Sequence, residues 1–115
     1  MCYRNTRVYQ KSLELVRATQ AVIGELPSGC GFLADQLRRA SSSVVLNLAE
    51  GCGKNSVPDR RRFFGIARGS AYEVAAAIDV AAALGATTEA HHEACIELCD
   101  HVGAMLTRFA STQKW

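Results

Sequence analysis

Apolar residues recur at intervals of three and four through four stretches of this chain, and glycine or proline interrupts the pattern between them. That period places one apolar stripe on each of four helices, and a stripe must be buried against another helix. In the first stretch, from about Thr6 to Leu26, the residues Tyr9, Leu13, Val16, Gln20 and Ile23 follow a 4-3-4-3 spacing. Pro27, Ser28, Gly29 and Gly31 then break the chain. The second helix is expected from about Phe32 to Glu50, with Leu33, Leu37, Ala40, Val44 and Leu48 facing inward. Ser41, Ser42 and Ser43 are mediocre helix formers, and their small volume suits close approach by a neighbour.

Gly51 and Gly53 are expected to close that helix, because glycine readily takes the left-handed conformation of a C-cap. Ser56 and Asp59 read as a capping box, and Pro58 falls in the first turn, where its missing N–H is harmless. The third helix then runs from about Val57 to Leu84, with Phe63, Ile66, Ala67, Ser70, Val74, Ala77, Ile78 and Ala81 inside. Gly65 and Gly69 each cost about 1 kcal/mol relative to alanine, so a helix backbone packed closely against them is expected. Gly85 stops this helix, and Thr87 or Thr88 caps a fourth that continues to about Ser111. Its apolar positions are His91, Cys95, Leu98, Val102, Met105 and Phe109. The expected fold is all-α, an antiparallel up-and-down four-helix bundle forming one domain over residues 1–115.

The five cysteines are an odd number without a C-x-x-C pair, and the polar start MCYRNTRVYQ carries no apolar leader. No run of apolar residues approaches the ~18 needed to span a membrane. These features point to a cytoplasmic protein with reduced thiols and no membrane partner.

LNLAEGCGKNS, residues 46–56, has the look of a phosphate loop. The Walker spacing requires glycine where Leu48 stands and serine or threonine where Asn55 stands, so the resemblance fails and the segment reads as a turn. His91, Cys95 and Cys99 are ligand types that zinc accepts. Spread over two turns of one helix, roughly 12 Å, they do not meet at a single tetrahedral ion, and they read as core residues. No metal, cofactor or catalytic residue is expected. A thiol- or metal-dependent enzyme using His91, Cys95 or Cys99 is the reading that bound metal or a fast-reacting thiol would support.

Charge is unevenly placed. Residues 1–72 hold 11 Lys/Arg against 5 Asp/Glu, whereas residues 73–115 hold 2 against 6, leaving the net +2. Such halves attract a polyanion at one end or attract each other between subunits. The basic candidates are Arg38, Arg39, Lys54, Arg60, Arg61, Arg62 and Arg68. The turn should bring Lys54 together with Arg60, Arg61 and Arg62, where phosphate contacts add up and respond to salt. Phe63 and Phe64 are expected in the core, leaving Tyr72 for stacking, so sequence-specific base readout is not indicated. Asn47, Glu50 and Glu73 stand amid apolar sequence and are expected to form a polar cluster with Arg62 or Arg68.

The runs QLRRASSSVVLNLAEGCGKNS and RRFFGIARGSAYEVAAAIDVAAALG resemble the four-helix-bundle proteins named after the 23S ribosomal RNA intervening sequence. QLRRA, N-x-AEG, RFF-x-IARGS and the glutamate that follows carry the resemblance across residues 36–85, and VYQKSLELV extends it. It implies a bundle that assembles into a ring, a homopentamer. It also implies similarity to the accessory protein of diversity-generating retroelements, which binds nucleic acid and a reverse transcriptase through a basic surface. By position, the resemblance makes Asn47, Glu50, Gly51, Phe63, Gly69, Ser70 and Glu73 architectural signature residues. The expected function is a non-enzymatic oligomer that binds RNA or a nucleoprotein, such as one with a reverse transcriptase-like protein. The alternative is a purely protein-binding or structural oligomer.

Overall fold

The computed structural model describes residues 2–113. Four helices follow a short 3-10 turn over Cys2–Asn5: α1 (Arg7–Glu25), α2 (Gly31–Cys52), α3 (Val57–Ala83) and α4 (Glu89–Ser111). No strand occurs among the described residues. Each helix packs on its neighbours in sequence, and α4 returns against α1 to close the bundle. The result is an all-α antiparallel up-and-down bundle, a rod measuring 49 × 21 × 21 Å.

Local chemistry fixes the helix ends. The hydroxyls of Thr6, Ser56 and Thr88 accept from the backbone N–H of Tyr9, Asp59 and His91, satisfying donors that the first turn of a helix leaves open. Gly85 ends α3 with φ +68°, and the Ala86 N–H reaches the Ala81 carbonyl at 2.8 Å, the pattern of a Schellman close. The end of α2 differs from expectation. Gly53 caps the helix as expected but with φ −86°, and Gly51 lies inside it, so neither uses the left-handed region. Gly51 is instead set by packing. A Cβ at position 51 would lie 2.7 Å from Cε1 of Phe64 and 3.0 Å from Cβ of Phe63.

The core runs through the whole rod. Leu33, Leu37, Ala40, Val44 and Leu48 of α2 are buried as expected, against Phe64, Ala67, Val74, Ile78 and Ala81 of α3. Burial of an aliphatic side chain of this size stabilises by about 1.5–3 kcal/mol. Phe64 meets Phe109 edge-on with ring centroids 5.0 Å apart, tying α3 to the last turns of α4.

In α1 the buried stripe is Val8, Ser12, Leu15, Thr19 and Val22, one position away from the expected seam. Ser12 donates to the Val8 carbonyl at 2.7 Å and Thr19 to the Val16 carbonyl at 2.8 Å. With their hydroxyls satisfied inside their own helix, both side chains pack as small core residues. Ile66, expected inside, is exposed on α3. Gly65 and Gly69 are exposed too, and nothing lies within 4 Å of where their Cβ atoms would stand. The close helix backbone expected beside them is therefore not supplied within the protomer.

Candidate nucleic-acid interface

The connection Gly53–Ser56 turns α2 into α3 at the end of the rod where α1 begins and α4 finishes. Lys54 and Arg62 approach the Phe63 ring, with Nζ and Cζ 4.9 and 4.4 Å from its centroid. Cations in this position are held by the ring's negative face. Lys54 also lies 3.9 Å from the Glu50 carboxylate one turn before it. Arg60 and Arg61 turn the other way, toward the end of α4. Arg60 donates to Gln113 Oε1 at 2.8 Å and to the Cys52 carbonyl at 3.3 Å. Arg61 donates to the carbonyls of Ala110 and Gln113 at 3.2 and 3.4 Å. Two side chains from the start of α3 thus add donors to carbonyls at the ends of α2 and α4; that of Ala110 also accepts the Gln113 N–H at 3.3 Å.

Arg68 lies higher on α3, stacked 4.8 Å from the Tyr72 centroid and donating to the Tyr72 hydroxyl at 2.7 Å. Tyr72 is exposed, as expected, but one of its faces already holds this guanidinium. Arg38 and Arg39 do not join the cluster. They precede Lys54 by about 24 Å along α2, given the rise of a helix. Arg38 pairs with Asp35 at 3.6 Å, and Arg39 pairs with Glu73.

The polar residues form links along the α2–α3 seam rather than the expected cluster. Glu73 accepts from Gln36 and Arg39 of α2. One step along, Ser43 meets Ser70 with oxygens 2.8 Å apart, and the Asn47 amide donates to the Ser43 hydroxyl and carbonyl, both at 2.9 Å. Beyond that, Gly51 admits Phe63 and Phe64. Rising positions on α2 therefore meet falling positions on α3, the register of two antiparallel helices. Neither Arg62 nor Arg68 takes part, and Glu50 bonds to Lys54 at the surface. Arg62 is occupied by the Phe63 ring and Arg68 by Tyr72, which explains the difference.

A family model described as 23S rRNA-intervening sequence protein matches residues 4–108. The chain belongs to this family. Its fold is also that of a crystal structure of a protein of unknown function from the S23 ribosomal protein family of Bacteroides thetaiotaomicron. The TM-score is 0.83 at 20% identity, covering 91% of this chain and 99% of that one. No curated protein sequence matches the chain. Within the family frame, the residues of QLRRA, N-x-AEG, RFF and ARGS, with the glutamate that follows, contribute most of the seam: Gln36, Arg39, Asn47, Gly51, Phe63, Phe64, Ser70 and Glu73. Ser43 completes it from the serine run. Gly69 and Glu50 share those motifs without joining the seam.

The histidines and cysteines diverge. Cys95 and Cys99 are buried, and burial pushes their thiols up to about 11 and about 12. His91 Nδ1 lies 2.6 Å from Glu25 and His92 Nε2 lies 2.8 Å from Asp79. Among the described residues no three His, Cys, Asp or Glu side chains are placed to hold a metal ion. No described helix is long and apolar enough to cross a membrane. Sequence reasoning missed Gln36 and Gln113. QLRRA contained the signal for Gln36, which stands one turn before Arg39 and shares its target. No local pattern marks Gln113.

Proposed function

We propose that this protein is a non-enzymatic, cytoplasmic, oligomeric helical bundle that binds RNA, alone or within a nucleoprotein, through the basic end of the rod. The observation that carries this reading is the convergence of Lys54, Arg60, Arg61 and Arg62 at one end. Exposed backbone-phosphate contacts of this kind are individually weak and become useful when several subunits present them together. Self-association is supported by the open surface around Gly65, Gly69 and the exposed Ile66, where the helix-propensity cost of two glycines has no return within the protomer. A closed ring of copies, five in the family expectation, satisfies that face and multiplies the basic ends.

The native mass of the protein, measured with and without a single-stranded RNA, tests both parts. The expected result is a multiple of the protomer that gains RNA mass. Lys54→Gln with Arg62→Gln is the informative variant, because these side chains rest on Phe63 and cap no helix. RNA affinity should fall, and the slope of log K against log salt should flatten by about one to two. Unchanged affinity and slope would sink the RNA reading.

A purely protein-binding or structural oligomer is the second reading. It is favoured by the internal partners that all seven candidate cations already have. High salt would then lower the oligomer mass, and RNA would not bind.

A further inference from the structure

A groove of about 790 Å³ lies between the start of α1 and the second half of α4. This size falls in the range of pockets that hold small organic ligands. Val8, Met105 and Phe109 give it an apolar lining, and Arg7 and Arg108 stand beside them. Both arginines are exposed, and neither has an ion pair or side-chain hydrogen bond among the described residues. In this they differ from Arg60 and Arg61, which are turned onto carbonyls. The amino end of α1 and the carboxyl end of α4 both reach the groove, so their partial charges offset and the guanidiniums set its sign. Asp100, also in the lining, precedes Arg108 by about 12 Å along α4. An anion is thus drawn to the arginine end and an apolar body extends away from it.

We propose that this groove binds a small amphiphilic anion. One carboxylate, sulfonate or phosphate is held by Arg7 and Arg108, and a hydrocarbon or aromatic body lies on Val8, Met105 and Phe109. The proposal is independent of RNA binding, since it uses other cations and needs an apolar contact that a phosphate backbone does not provide. Guanidinium forks suit such head groups, and the charge-assisted bonds strengthen beside an apolar wall.

The test is titration of the isotope-labelled full chain with sodium decanoate below its micelle concentration, followed by backbone amide shifts. Its neutral counterpart 1-decanol is titrated in parallel. Shifts are expected to saturate and to concentrate in residues 6–8 and 100–112. Decanol should bind about tenfold or more weakly, the loss expected when one charge-assisted contact is removed. Arg7→Gln with Arg108→Gln should weaken decanoate by a similar factor while the helical signal stays unchanged. Equal binding of decanol and wild-type decanoate, or shifts centred elsewhere, would overturn the proposal without any variant. Pelleting with phosphatidylglycerol vesicles in the absence of a decanoate response would overturn it as well, because it would assign the arginines to a membrane surface. RNA binding that persists in the Arg7/Arg108 variant leaves the two sites separate; its loss together with decanoate binding would overturn the independence stated here.

Discussion

The Phe64 ring occupies the space in which a side chain at position 51 would begin: Cε1 lies 2.7 Å from the Cβ that Gly51 lacks. Phe64 is buried and braced by Phe109, so it has no room to retreat. Gly51→Ala should therefore destabilise the bundle by about 1–3 kcal/mol, although alanine is the better helix former. Chemical unfolding of the two proteins measures this, and a more stable alanine variant would show that the ring moves freely.

Gly69 makes the opposite case, since nothing stands near its missing Cβ. Gly69→Ala should leave each protomer helical and gain up to about 1 kcal/mol from propensity. If copies meet on that face, as proposed, the methyl group should lower the assembled mass at micromolar concentration. Light scattering with an unchanged mass would take the Gly69 surface out of the interface.

Across the seam, the half-buried Ser43–Ser70 contact should outweigh the more exposed Arg39–Glu73 pair. Double-mutant cycles to alanine are expected to give about 1 kcal/mol for the serines and under about 0.5 kcal/mol for the ion pair. A reversed order would mean that Glu73, with Gln36 and Arg39 together, is the principal fastener.

The His91 hydrogen bond is the main reason the Glu25 carboxyl sits below the ordinary value of 4.5; Thr87 adds a second bond. A depressed carboxylate contributes stability that is complete above its unfolded pKa. That stability disappears as pH falls through the lower folded value. Glu25→Gln should accordingly lower the melting temperature at neutral pH, with the gap to wild type closing in acid below pH 4.5. A gap that stays constant from neutral to acid would remove the charge from the explanation.

Burial of Cys95 and Cys99, which raises their thiols to about 11 and about 12, should make both inert in the native state. Thiol titration at neutral pH with mass mapping should label Cys30 well before either, and denaturant should abolish the difference. Rapid native labelling of Cys95 or Cys99 would revive a nucleophilic role for them.

The α2 stripe was legible because Leu33, Leu37, Ala40, Val44 and Leu48 are all apolar, and no competing face offers as much. In α1 two stripes share the same 4-3-4-3 spacing, and the one chosen by hydropathy is the wrong one. Ser12 and Thr19 look polar in sequence, yet each hydroxyl is satisfied by a carbonyl of its own helix. Spacing alone carries no information about that. The neighbourhood of Lys54 and Arg62 followed from the short turn. The direction taken by Arg60 and Arg61 depends on where α4 ends, some fifty residues later, and no local pattern encodes it.

Arg60 and Arg61 belong to the beginning of α3 but hold the last turn of α4. A phosphate that draws these guanidiniums outward removes the Arg60 bond to the Gln113 side chain and the Arg61 bonds to the Ala110 and Gln113 carbonyls; Ala110 keeps only the Gln113 N–H, and the turn above loosens. Ligand occupancy and fraying of the final turn are then two sides of one equilibrium. The bundle would register a bound polyanion as accelerated amide exchange near its own C-terminal end.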